Sequence, residues 1–315
     1  MTPHDTRSSQ AECDSPTQLE LFVSASSVDI DPPSFLRADL VGNLNSPEPL
    51  PEDKRLTGER HAQALLMWIH RFGWLSSRMV AALIFPTASQ SWPLARRLLK
   101  KLLGDKLILV RALPQGGDVY LLSVKGARLL NEAMGAKATS GQGQTITSPL
   151  HRACGNWHLI SQVQAGLHIF TEHEIASGRA PFRTLNGKQF DGLVIHDGGL
   201  ITAIEIENSW KNRSRRQAVC DIATHHLGRD TMTRLGVDAS GNELHLARMT
   251  IVATSMDALR SMAATFQESY RNRTASESCL ASVDVCVLPV SPSLVPGESV
   301  AGNLWWTVMQ PLSVY

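Results

Sequence analysis

The chain has 315 residues, 43% of them apolar and 19% charged, with a net charge of +1. That length suits two domains and a tail, and no apolar run approaches the roughly 18–20 residues that span a bilayer. The start lacks a basic region followed by a hydrophobic core, so no secretory signal is read and a cytoplasmic protein without membrane contact is expected.

Residues 1–56 carry ten Asp/Glu against four Lys/Arg, a net −6, and the rest of the chain is +7. They are rich in Ser, Pro and Asp without sustained periodicity, and read as a disordered acidic tail. Leu19–Val23 is a slightly apolar patch within it, or a short docking motif. Residues 57–135 are periodic. A helix runs from near Thr57 through Leu65, Leu66 and Ile69 to Phe72, where Gly73 ends it. A second follows an N-cap at Ser76 or Ser77, with Met79, Val80, Leu83 and Ile84 as its apolar face. A third spans Ser91 to Leu103, with Pro93 in its first turn. Strands at Leu107–Arg111 and Val119–Leu122 flank the turn Pro114–Asp118, and a last helix begins at Ser123. Three helices, a hairpin and a closing helix make a winged helix-turn-helix.

The third helix is two-faced. Leu94, Ala95, Leu98, Leu99, Leu102 and Leu103 fill one half of the wheel, and Arg96, Arg97, Lys100 and Lys101 fill the other. No acid interrupts the basic arc. Such a helix fits the DNA major groove, with its cations on phosphates and Arg111, at the base of the wing, on the neighbouring backbone. The bland alternative is a solvated basic face on a helix used for dimerisation.

Residues 136–149, a Gly/Ser/Thr stretch, read as a linker. Residues 150–315 read as α/β. A helix covers His151 to about His168, and strands follow at Ile169–Ile175, Phe190–His196 and Leu200–Glu207, the last two joined by a tight turn at Gly198-Gly199. Then come a helix from Lys211 to about Leu227, a strand at Arg248–Thr254, a helix from Met256 to about Tyr270 and a strand at Val283–Val287. Asn303–Tyr315 closes the chain as one more strand.

The strand Leu200–Glu207 carries the most informative residues. Glu205 and Glu207 lie two apart and share a face, opposite Ile204 and Ile206. Two buried carboxylates are costly unless a cation or a hydrogen-bond network takes up their charge. With Asp191 on the neighbouring strand they form a ligand set for Mg²⁺ or Mn²⁺, as in metal-dependent phosphodiester cleavage. The bland readings are that Asp191 caps a turn and Glu207 pairs with Lys211.

The order of elements and acids resembles the PD-(D/E)xK nuclease superfamily, and within it the replication-relaxation family of plasmid and mobile-element proteins, which joins a winged helix to a nuclease-like domain. The segments that carry the likeness are Val119–Ala127, His151–Asn156, Thr171–Glu174 and Ile204–Lys211. The resemblance implies a restriction-endonuclease-like αβββαβ domain. It matches Asp191 to the first metal-binding acid, Glu205 to the second, and Glu172 or Glu174 to the upstream Glu. Glu207 stands where the superfamily has Lys, and Lys211 is the nearest replacement. It implies that Lys211 orients a metal-bound water or stabilises the phosphorane, and that Arg213, Arg215 and Arg216 hold flanking backbone. Partners implied are DNA, other plasmid or mobile-element proteins and a second copy of the chain. The departure at Glu207 favours an alternative, a non-catalytic DNA-binding accessory factor or transcriptional regulator with a degenerate nuclease fold.

Asp221, His225, His226 and Asp230 have zinc-like spacing but read as polar helix surface. The five scattered cysteines form no C-x-x-C pair and read as reduced thiols. His151 reads as a phosphate contact or an ordinary half-buried histidine.

Overall fold

The computed structural model describes residues 53–208, 212–238 and 241–304. Helix α1 (Lys54–Phe72) starts before Thr57 because Asp53 caps it, its carboxylate accepting from the Arg55 amide at 2.9 Å. Residues 54–56, assigned to the tail by composition, are therefore helical, and residues 1–52 of the expected tail lie outside the described residues. Strand β1 (Leu75–Ser76) leads into α2 (Ser77–Ile84), and the Ser76 hydroxyl accepts from the Met79 amide at 3.3 Å, the expected cap. Next come α3 (Ser91–Gly104), β2 (Ile108–Ala112), β3 (Asp118–Leu122) and α4 (Val124–Met134), which Ser123 caps. The three strands form an antiparallel sheet in the order β1-β3-β2. Helix α4 lies so close to β2 that a Cβ on Gly126 would sit 2.0 Å from the Leu107 carbonyl oxygen.

The second half runs α5 (Pro149–Gln164), β4 (His168–Thr171), α6 (Glu172–Ala176), β5 (Gly192–Ile195) and β6 (Leu200–Glu207). It continues with α7 (Arg213–His226), β7 (Thr233–Val237), β8 (Glu243–Ala253), α8 (Met256–Arg271), α9 (Glu277–Ala281), β9 (Val283–Val287) and β10 (Val300–Asn303). These strands form a mixed sheet in the order β10-β9-β8-β6-β5-β4. The β4–β5–β6 run is antiparallel, whereas β6, β8 and β9 are parallel.

Several strand expectations change. The strand expected over Ile169–Ile175 stops at Thr171, because Thr171 and Glu174 make a capping box. The Thr171 hydroxyl accepts from the Glu174 amide at 3.1 Å, and Glu174 accepts from the Thr171 amide at 2.9 Å. Strand β8 begins at Glu243, five residues before Arg248. Its first half pairs with β7 and its second half with β9, so a segment of weak strand pattern, interrupted by Gly236, is drawn into the sheet by an open edge. Strand β10 ends at Asn303, where the expected terminal strand was to begin, and residues 305–315 of that expectation lie outside the described residues.

The stretch 136–149, expected as a linker, packs instead. Asn131 brackets Ala138, donating to its carbonyl at 3.0 Å and accepting from its amide at 2.5 Å. The Gly141 amide bonds the Leu122 carbonyl at 2.9 Å, where a Cβ would meet the Leu121 side chain at 2.7 Å. Small residues that look like a flexible linker are here a condition of close contact. All described residues fall in one compact unit. Leu65, Phe72 and Met79 share a buried core with Ala153, Ile206 and Val252, so the first half rests on one face of the large sheet. Helices α7 and α8 cover the other face, over Ile201, Ala203 and Ile251.

Candidate functional site

Two clusters of charge stand out. The first is on α3. Ala95, Leu99 and Leu102 are buried, Leu94, Leu98 and Leu103 half-buried, and Arg96, Arg97, Lys100 and Lys101 exposed. None of these four forms an ion pair among the described residues. Trp92, in the first turn, adds to this face. Its indole N–H donates to the Ser77 hydroxyl at 3.2 Å, and its ring carries the Arg78 guanidinium at 4.1 Å and that of Arg96 at 5.1 Å. Arg111 has a different employment from the one expected. Its guanidinium donates to the carbonyls of Gln144 and Gln142 and pins the connecting segment to β2.

The second cluster lies where β5 begins and β6 ends. Asp191 immediately precedes β5, and its amide donates to the Ile204 carbonyl at 3.0 Å. Its carboxylate accepts from the Ile206 amide at 2.7 Å and meets His151 Nε2 at 3.2 Å. These backbone and side-chain bonds bracket Glu205 on the neighbouring strand. His151 belongs to α5 and also faces Asn208, 3.5 Å from its Nδ1. Arg152 follows it, 3.6 Å from Glu172 and 3.1 Å from the Phe72 carbonyl. Burial raises the Glu172 carboxyl above its ordinary range, and Arg152 opposes that rise. Burial likewise lowers the Arg152 guanidinium.

Strand alternation turns Glu205 and Glu207 to the face of Ile201 and Ala203, beneath α7 and α8. Asp191 leans instead toward α5. Glu205 is 1% exposed, and Lys188 meets its Oε1 at 2.8 Å. Glu207 is fully buried. Among the described residues, no three of His, Cys, Asp and Glu converge closely enough to hold a metal ion.

The other expected residues fall as follows. Glu174 caps α6 and pairs with Arg71 at 2.8 Å, tying α6 to α1, whereas Glu172 is the one that shares its field with Asp191 and His151. Lys211 lies outside the described residues. Arg213 donates to both Glu268 oxygens, at 2.5 and 2.7 Å, and Arg215 is exposed. His226 is held by Asn186 at 2.9 Å and by the Thr233 hydroxyl at 3.0 Å, a packing role. Sequence reasoning missed Lys188, Arg78, Trp92 and Asn208. For Lys188 the available signal was its place three residues before Asp191, and for Trp92 its spacing of four from Arg96.

No protein-family model matches the chain, and no curated protein matches it.

Proposed function

We propose that the chain is a DNA-binding protein. In this reading α1 to α4 form a winged helix-turn-helix, α3 enters the major groove and the β2–β3 hairpin is the wing. The observation that carries it is the α3 face, where Arg96, Arg97, Lys100 and Lys101 stand exposed without ion-pair partners among the described residues. A duplex supplies the missing counter-charge at each phosphate. The α/β half then serves assembly and positioning, as in an accessory factor or regulator, and the plasmid or mobile-element setting rests on the resemblance.

The test is a titration of duplex DNA over a salt series. Affinity should fall linearly on a log–log plot, and Arg97→Ala with Lys101→Ala should reduce the slope by about 2. Binding indifferent to salt and to both substitutions sinks the reading.

One observation favours a second reading, metal-dependent phosphodiester cleavage by a PD-(D/E)xK-like half. Asp191 and Glu205 are neighbours across β5 and β6, and Lys188 lies on Glu205. As arranged, these residues do not fit Mg²⁺ or Mn²⁺. His151 and the Ile206 amide each bond one Asp191 oxygen, Lys188 bonds Glu205 Oε1, the two acids lean to different layers, and among the described residues no third ligand converges with them. That favours the accessory role. Supercoiled plasmid incubated with Mg²⁺ or Mn²⁺ separates the two readings. Nicking by the wild type, lost in Asp191→Ala and in Glu205→Ala, would replace the accessory role with a nuclease.

A further inference from the structure

The α3 face continues past α3. Arg78, in the first turn of α2, is exposed, and the Trp92 ring holds it at 4.1 Å. The same ring holds Arg96 at 5.1 Å. Two guanidinium groups from different helices are thus gathered on one indole, and neither forms an ion pair among the described residues. In water their mutual repulsion is small and each is attracted to the ring face, so the pair stays together with its hydrogen-bond donors open to an anion from outside. The ring is itself anchored, its N–H on the Ser77 hydroxyl at 3.2 Å and its edge half-buried at the α2–α3 junction.

We infer that Arg78 and Arg96 form a two-pronged clamp for one phosphate of the DNA backbone, with Trp92 as the positioning residue. The inference rests on the DNA-binding reading and adds a contact outside α3. Each planar fork can donate two parallel hydrogen bonds to phosphate oxygens. Stacking on a rigid ring removes much of the side-chain freedom that an exposed arginine otherwise loses on binding. The positive end of α2 adds to the same potential. The contact orients the duplex on the protein and carries no sequence information.

The experiment uses the full chain and a duplex over the same salt series, with Arg78→Ala, Trp92→Ala and Trp92→Phe. Arg78→Ala should weaken binding and reduce the salt slope by up to about 0.9, one phosphate contact. Trp92→Ala should weaken binding about two- to five-fold, and Trp92→Phe should recover part of that loss because a smaller ring face remains. Arg78 is exposed, so its variant stays informative if Trp92→Ala folds poorly. Wild-type affinity and slope in Arg78→Ala, while Arg97→Ala with Lys101→Ala loses both, overturn the clamp and leave the DNA-binding reading standing. Absence of salt-dependent binding by the wild type removes that reading and the clamp with it.

Discussion

The α3 face and the β5–β6 end gather like charge in opposite ways. On α3 four cations stand in water, where a dielectric near 80 makes their mutual repulsion small, and the fold provides them with no carboxylate among the described residues. At β5–β6 burial forbids that solution. Asp191 is met by His151 and a backbone amide, and Glu205 by Lys188. A buried charge has to be answered within the protein, or its cost falls on folding. An exposed cluster left unanswered is free to be answered from outside. On the DNA-binding reading proposed above, the contrast separates charges that serve the fold from charges that serve a partner, and substitutions on the two sides should behave accordingly.

The largest expected effect is at Lys188, which is 25% exposed while its partner Glu205 is buried. Lys188→Ala should cost about 3 kcal/mol in urea unfolding, because Glu205 loses that counter-charge in a site closed to water. Replacing both, as Lys188→Met with Glu205→Leu, should recover most of the loss. If the single change costs less than about 0.5 kcal/mol, the pair is not what neutralises β6 and the comparison fails.

Acid should act next. Burial holds His158 and His173 down to about 4, against an ordinary value of 6.5. The folded state keeps them neutral while the unfolded chain takes up protons below pH 6.5. Stability should therefore be level above that pH and fall as pH drops toward 4, by on the order of 2–3 kcal/mol for His158. Glu172, whose carboxyl is raised by burial, opposes the trend above pH 4.5. Urea midpoints at a series of pH values should show a shallower acid limb in His158→Leu than in the wild type.

Surface changes come last. Arg97→Ala with Lys101→Ala should leave unfolding within about 0.5 kcal/mol of wild type while DNA affinity drops, the reverse of Lys188→Ala. Arg213→Ala should move neither by much. Its exposed pair with Glu268 contributes less than about 1 kcal/mol, and the same pairing takes it out of service for phosphate. A clear loss of DNA binding in Arg213→Ala would extend the external charge to α7.

Much of the architecture was legible because its signals are local. Ser76 and Ser123 cap the helices that follow them, the leucine spacing of α3 sorts its buried and exposed faces, and β9 has the bounds its apolar run suggested. The misreadings also have local causes. Apolar Ile169 and Ile175 suggested one strand, although Thr171-x-x-Glu174 is a capping box in plain sight. Strand β7 had no comparable signal, since its pairing depends on how far β8 outruns β9.

The acidic site was legible in composition but not in connection. Alternation alone put Glu205 and Glu207 on one face of β6, and the cationic arc of α3 followed from its periodicity. Only the tertiary structure decided which charges meet. Arg71 finds Glu174 across 103 positions and His151 finds Asp191 across 40. Capping and periodicity are written within a few residues of the chain, where backbone geometry links neighbours directly. Pairing between distant side chains exists only after helices and strands have packed, and here that packing set the internal answer to Asp191 and Glu205 while leaving Arg96, Arg97, Lys100 and Lys101 to the solvent.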